Sequence, residues 1–449
     1  MRVVPLALRR DPLEVLASLA AEPGAFLLEV PDPAEPVTLL GCAPRAQLCI
    51  RADGSVERDG RLERGDPLAA LERFVAEGPP LPFPYGSAVG YLAYEFGRFT
   101  EPGRGGEAPA PEVPLAVLSR YDPVLAYDRS RAQYTLVCAE PASAFVPWLE
   151  RLAAPAPAWG GPLATAPLAP LLPRERYLAA VRRILDYLAA GDVYQVNLTQ
   201  PYAAPLAAPA WALFAALARR HPVPHGAYLD VGAACLLANS PELFLRRRGE
   251  RVETRPIKGT RPRGDGRARD AALAAELEAD AKERAEHVMN VDLERNDLGR
   301  VAAIGSVAVE AYARVESHPT VHHLVSSVVG RVRPDVGLAQ LLRATFPGGS
   351  ITGAPKVRAM EIIRELEPVP RGAYTGAFGL FHPSGDLELG LAIRTAVVAG
   401  GVVRYHAGGG IVADSDPERE LAEAWLKTAA LRLALGEDAR PELERCSSG

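Results

Sequence analysis

Residues 153–173 read AAPAPAWGGPLATAPLAPLLP, a stretch in which prolines remove backbone donors and few apolar side chains offer an anchor. No regular helix survives there, so the stretch is expected to act as a connector. It divides the 449-residue chain into an N-terminal region (1–152), the connector (153–173), a larger region (174–435) and a C-terminal tail (436–449). Before the connector, short β-rich runs at 26–30, 88–94, 124–127 and 134–138 lie between turn signals and predict sheet with a few helices. After it, helical periodicity alternates with strands.

The spacing of Tyr177, Val181, Ile184, Leu185 and Leu188 predicts an amphipathic helix over 174–190, closed by Gly191. Further helices are expected at 271–291, 338–345, 357–365 and 417–435. Strands are expected at 374–380, 387–398 and 402–407. In DVYQVNLTQPY, polar Gln195, Asn197 and Gln200 interrupt a strand-like apolar run, and such side chains need partners or a ligand.

A hydrophobic content of 48% with 23% charged residues is that of a globular chain able to bury a large core. The net charge of −5 and the scattered basic residues exclude the wide cationic face of a nucleic-acid binder. The five cysteines form no C-x-x-C pair and read as reduced thiols of a cytoplasmic protein. No apolar run approaches the ~18 residues that span a bilayer, so no membrane role is expected.

Several clusters carry chemistry. In ETRPIKGTRPRG (253–264), Lys258 follows an extended apolar approach. A lysine against apolar walls loses hydration, which favours the free amine and makes it a nucleophile. An exposed lysine in a basic loop is the commoner role for such a residue taken alone. In NSPELF (239–244), Glu242 sits amid apolar neighbours that would hold its proton for donation, or else opens a helix after Ser-Pro. Two E-x-x-E pairs, Glu283 with Glu286 and Glu420 with Glu423, would each present oxygens on one helix face. Converging, they suit a hard cation such as Mg²⁺; singly, each is more often a solvated acidic face. Gly408, Gly409 and Gly410 permit close backbone approach to an anion, and Arg394 could pair bidentately with a carboxylate. The loop FPGGSITGAPK, which contains Thr352, lacks the phosphate-loop spacing, so an NTPase is excluded. His323 in an apolar strand is more often a satisfied core histidine than a catalyst.

In this order, GDVYQVNLTQ, NSPELF, RPIKGTRPRG, EHVMNVDLERNDLGRV, VHHLVSSVVG, FPGGSITGAPKVRAMEII, RGAYTGAFG and HAGGGIVADSDPERELAE resemble the chorismate-binding family. The likeness is dense over about residues 170–435 and continues more weakly through PYGSAVGYLAYE. That family includes anthranilate synthase component I, aminodeoxychorismate synthase component I and the isochorismate and salicylate synthases. The resemblance implies an α+β fold, with two β-sheets packed face to face, helices around them and the N-terminal region in the same core.

Lysine at 258, where anthranilate synthases typically carry alanine, is similar to the aminodeoxychorismate synthases. The resemblance then implies that Lys258 attacks ring carbon 2 of chorismate, that Glu242 protonates the departing carbon 4 hydroxyl, and that ammonia adds at carbon 4. Gln195, at the position of a water-activating lysine in isochorismate-type enzymes, implies ammonia rather than water as nucleophile. Glu286 and Glu423 match direct Mg²⁺ ligands, with Glu283 and Glu420 acting through water. Tyr374, Arg394 and the amides near Gly409 match a grip on the enolpyruvyl carboxylate. Lys427 is a further carboxylate contact, Thr352 a further substrate contact, and His323 a family histidine near the ring. Where relatives carry a serine lining a tryptophan pocket, this chain has Val30. No cysteine lies in a G-x-C-x-G turn, so the ammonia is expected from a separate glutamine amidotransferase subunit, component II.

Overall fold

The computed structural model describes residues 1–32, 36–101, 111–318 and 321–437. Cys446 and most of the tail expected at 436–449 lie outside them.

Two antiparallel sheets dominate, each of twelve strands among the described residues. In the first, Arg2–Leu6 begins an order that passes through Phe26–Val30, His225–Asp230, Cys235–Ser240, Thr395–Ala399 and Val402–Ile411 to Gln195–Pro205. The second runs from Ile257–Pro262 through Val321–Arg331, Leu243–Arg248, Leu387–Leu391 and Ala377–Phe381 to Ala88–Leu92 and Ala46–Ile50. Residues before the connector supply strands to both sheets. Leu28 pairs with Ala227 in one, and Ala88 pairs with Phe381 in the other. Within the connector, Ala169–Pro170 adds a short edge strand against Tyr202–Ala203.

The sheets pack face to face through a shared apolar layer. Phe26, Leu28 and Leu236 of the first meet Val89, Tyr91 and Phe378 of the second. Helices cover the outer faces. Leu213, Phe214, Leu431 and Ile362 cover the first sheet, and Phe74 and Leu341 close the second. The architecture is therefore the α+β double sheet that the family likeness implied.

Three elements expected to be continuous are broken, each beside a residue of interest. The helix expected at 271–291 is two helices, Arg267–Ala279 and Ala281–Gly299. Asp280 divides them because its carboxylate accepts the Glu283 N–H at 3.1 Å and so begins a new helix. The helix expected at 417–435 stops at Leu426 and restarts at Ala429, with Lys427 as the cap residue. The strand expected at 387–398 is two strands in different sheets, Leu387–Leu391 and Thr395–Ala399. Between them Arg394 adopts φ +52°, a left-handed conformation that is uncommon for a side-chain-bearing residue and clusters at functional sites.

One buried ion pair ties the first sheet to the Gly-rich loop and to the turn before Ala377–Phe381. Arg371, 3% exposed, donates to both Glu367 oxygens at 2.7 and 2.8 Å. Its remaining N–H groups reach the carbonyls of Asn197 and Ile351, each at 2.9 Å. Glu367 in turn accepts the Thr199 backbone N–H at 3.0 Å. Removing one member of such a pair strands the other charge in the interior. Arg371→Met is therefore expected to destabilise the chain by about 3–5 kcal/mol, read as a lower urea midpoint; an unchanged midpoint would show that Glu367 finds another partner.

Candidate functional site

A cavity of about 520 Å³ opens where strands of both sheets meet the helices Ala281–Gly299 and Pro417–Leu426. Of the residues singled out in the sequence, Lys258, Glu242, His323, Tyr374, Arg394 and Lys427 line it. Gly408, Gly409 and Gly410 line it as well, together with all four glutamates of the E-x-x-E pairs. Gln195 and Thr352 do not.

Lys258 lies on the edge strand Ile257–Pro262, paired with Leu324. The register slips between Lys258 and Thr260, a bulge at Gly259, which adopts φ +75°. Bulges re-aim side chains near functional sites. A Cβ on Gly259 would sit 2.8 Å from Leu277 and 3.2 Å from a Glu283 oxygen, so glycine also makes room for that carboxylate. Enclosure by protein pushes the Lys258 pKa below its usual range; Glu286 opposes that shift and the Lys427 charge adds to it.

Glu242 does not open a helix. It lies in the turn between the strands Cys235–Ser240 and Leu243–Arg248, only 6% exposed. Burial raises its pKa to about 7, against the opposing effects of Lys258 and of a 3.1 Å hydrogen bond donated by Ser350 Oγ. A carboxyl so placed keeps a proton near neutrality and can donate it. Ser350 belongs to the Gly-rich loop. Thr352 knots that loop from behind by donating to the carbonyls of Gly348 at 2.9 Å and Gly349 at 3.2 Å. His323 is buried in the strand Val321–Arg331, with Nδ1 3.0 Å from the Thr260 hydroxyl. Burial lowers its pKa to about 4, so the imidazole is neutral at physiological pH.

The acidic pairs face the cavity from two helices. Asp416 caps Pro417–Leu426 by accepting the N–H groups of Glu418 and Arg419, and Pro417 begins the first turn. This cap orients Glu420 and Glu423 toward Gly409. A Cβ at Gly409 would lie 3.4 Å from a Glu423 oxygen, 3.4 Å from Lys427 Nζ and 3.5 Å from a Glu420 oxygen. Lys427 Nζ pairs with Glu423 at 2.7 Å and donates to the Gly408 carbonyl at 2.8 Å. Ser415 Oγ donates to Glu420 at 2.7 Å. Burial, and then the neighbouring Glu286 charge, raise the Glu283 pKa. Among the described residues, no group of three His, Cys, Asp or Glu side chains converges tightly enough to chelate an ion unaided. The all-oxygen donor set nevertheless fits Mg²⁺, which commonly binds one or two carboxylates and completes its shell with water and substrate oxygens.

At the other end, Tyr374 and Arg394 approach the strand Val402–Ile411. Gly408 must be glycine, since a Cβ there would meet the Leu198 carbonyl at 1.9 Å. Gln195 is fully buried behind Gly410, where a Cβ would come within 2.6 Å of its Nε2. Neither polar end of the Gln195 amide has a hydrogen-bond partner in the structure. Sequence reasoning missed Ser350 and His406, which line the cavity, and the Glu367–Arg371 pair behind it. Ser350, Arg371 and His406 all stand inside segments already singled out, yet nothing in HAGGGIV separates His406 from an ordinary strand residue.

Comparison with known proteins places the chain among characterised relatives. Residues 24–432 match the family described as chorismate binding enzyme. Anthranilate synthase component 1 of Thermus thermophilus is 42% identical over 447 residues, 96% of each chain. Aminodeoxychorismate synthase component 1 of Bacillus subtilis is 37% identical over 390 residues, 83% of each. The crystal structure of anthranilate synthase component I from Streptococcus pneumoniae superimposes with a TM-score of 0.79 at 29% identity, covering 89% of this chain and 93% of that one.

The raised Glu242 pKa fixes a pH dependence. A carboxyl whose folded pKa exceeds its unfolded value favours folding most at pH below the unfolded value, near 4.5, and loses that contribution as pH climbs toward about 7. Glu242→Gln removes the ionisation, so the variant should gain stability relative to the parent between pH 5 and pH 8. Melting temperatures at the two pH values check this; a difference that does not change with pH would mean Glu242 titrates normally.

Proposed function

The chain belongs to the chorismate binding enzymes, and from that membership we propose that it aminates chorismate to 4-amino-4-deoxychorismate, the reaction of an aminodeoxychorismate synthase component I. The observation that carries this reading is Lys258, an amine with a depressed pKa in the wall of the same cavity as the proton-holding Glu242. An amine shifted toward its free form beside an acid that holds its proton near neutrality suits a displacement with a hydroxyl leaving group.

In this mechanism the Lys258 nitrogen bonds to ring carbon 2, both ring double bonds shift, and the carbon 4 hydroxyl leaves as water with the Glu242 proton. Ammonia then bonds to carbon 4, both double bonds shift back and the bond from carbon 2 to Lys258 breaks. Glu242 recovers its proton from the new ammonium group. Chorismate and ammonia thus give aminodeoxychorismate and water, with lysine and glutamate regenerated. Tyr374, Arg394 and the amides around Gly409 are assigned to the enolpyruvyl carboxylate, and Lys427 to a further carboxylate contact. Glu286 and Glu423 would hold Mg²⁺, with Glu283 and Glu420 acting through water; when bound, the ion supplies positive charge for the ring carboxylate. Holding both anionic arms supplies the orientation that a displacement on a small ring needs. Gln195 is assigned to the preference for ammonia over water, Thr352 to support of the Ser350 loop, and His323 to a neutral wall beside the ring.

The relatives' names end in "component 1", which supports ammonia supply by a separate glutamine amidotransferase subunit. The same reading places the chain in p-aminobenzoate and folate biosynthesis in the cytoplasm; among the described residues no helix is long and apolar enough to cross a membrane. The Thermus relative favours a second reading, anthranilate synthase, in which pyruvate is also eliminated.

Chorismate, Mg²⁺ and an ammonium salt incubated with the chain should yield aminodeoxychorismate by mass spectrometry; anthranilate as the product would establish the second reading instead. Glu242→Gln should lower kcat by about 10²–10⁴. Full amination by Lys258→Ala would eliminate the covalent route.

A further inference from the structure

His406 lines the cavity, yet none of the roles assigned above uses it. It lies on the strand Val402–Ile411, two residues before the glycine run, and is 8% exposed. Its ring stacks on Tyr374, with centroids 5.4 Å apart and planes inclined by 18°. Stacked pairs in this range prefer one mutual orientation and hold it. We propose that His406 is a positioning residue, the plate against which the Tyr374 ring is set so that its hydroxyl meets the carboxylate on the substrate's side arm. The proposal rests on the chorismate reading.

Three features beyond the stacking point the same way. Burial, reinforced by the nearby Arg371 charge, lowers the His406 pKa to about 3, so the ring stays neutral and adds no charge to the anion end. The Thr199 hydroxyl stands 3.5 Å from Nδ1, at the limit of hydrogen-bond range. Both plates are also steadied by the same ion pair. The Thr199 N–H donates to Glu367, while the Tyr374 N–H donates to the Arg371 carbonyl at 3.2 Å and Arg371 reaches the neighbouring Thr375 hydroxyl at 3.3 Å. Tyr374 and His406 therefore stand as one braced unit, in which the histidine works through the tyrosine.

Two substitutions separate this role from mere filling of space. His406→Phe keeps a flat ring, whereas His406→Gln keeps polarity and comparable bulk but loses the face. Chorismate consumption is measured whatever the product, first for the unaltered chain. His406→Gln should raise KM for chorismate about 3- to 10-fold with kcat changed less than about twofold, and His406→Phe should restore KM to within about twofold. In a Tyr374→Phe background, His406→Gln should add little, because the hydroxyl it positions is gone. Equal KM in His406→Gln and the unaltered chain, equal losses in both His406 variants, or additive losses with Tyr374→Phe would overturn the role of His406. Absence of chorismate consumption by the unaltered chain would overturn the chorismate reading and this proposal with it.

Discussion

The site depends on a balance of charge in an enclosed space. Glutamates of two helices line the cavity together with Lys258, Lys427 and Arg394. Removing any of these charges from water costs several kcal/mol unless a partner compensates. Lys427 is held by Glu423, Glu420 accepts from a serine, and Glu242 meets burial by keeping its proton. Lys258 has carboxylate neighbours, yet enclosure outweighs them and disfavours its ammonium form. That imbalance is the physical basis of the nucleophile role proposed for Lys258.

The backbone is shaped to serve this balance. Continuous helices or strands would carry Glu283, Arg394 and Lys427 along regular faces. The cap at Asp280, the left-handed turn at Arg394 and the helix stop at Lys427 place them around the cavity instead. Behind the wall, Glu367 and Arg371 fix the strand Gln195–Pro205, the Gly-rich loop and the turn holding Tyr374 to one another. The double sheet supplies a stiff frame because its strands come from both ends of the chain. The Pro/Ala-rich connector therefore separates stretches of sequence whose strands lie side by side in both sheets.

Much of this was legible in the amino-acid sequence. Helical spacing in 174–190 corresponds to the helix Arg174–Ala189, and the polar intrusions in the strand Gln195–Pro205 marked a segment beside the cavity. The chemical types of the key side chains, and the ordered motifs carrying the family likeness, were also there to read. The element breaks were not, because periodicity averages over a window and does not register one cap or one left-handed residue. Gln195 and Thr352 were legible as special but not as standing behind the cavity wall, because a strand or loop residue announces its chemistry and not its facing.

The sequence by itself determined the inventory: which acids, amines and glycines are available, the α+β class and the family. Only the tertiary structure decided which of them share a cavity and in which direction their proton affinities shift. Glu242 and Lys258 owe their shifted proton affinities to burial, which outweighs the opposing pull of neighbours distant along the chain, such as Ser350 and Glu286. Desolvation depends on everything packed around a group in three dimensions, so no local stretch of residues encodes it.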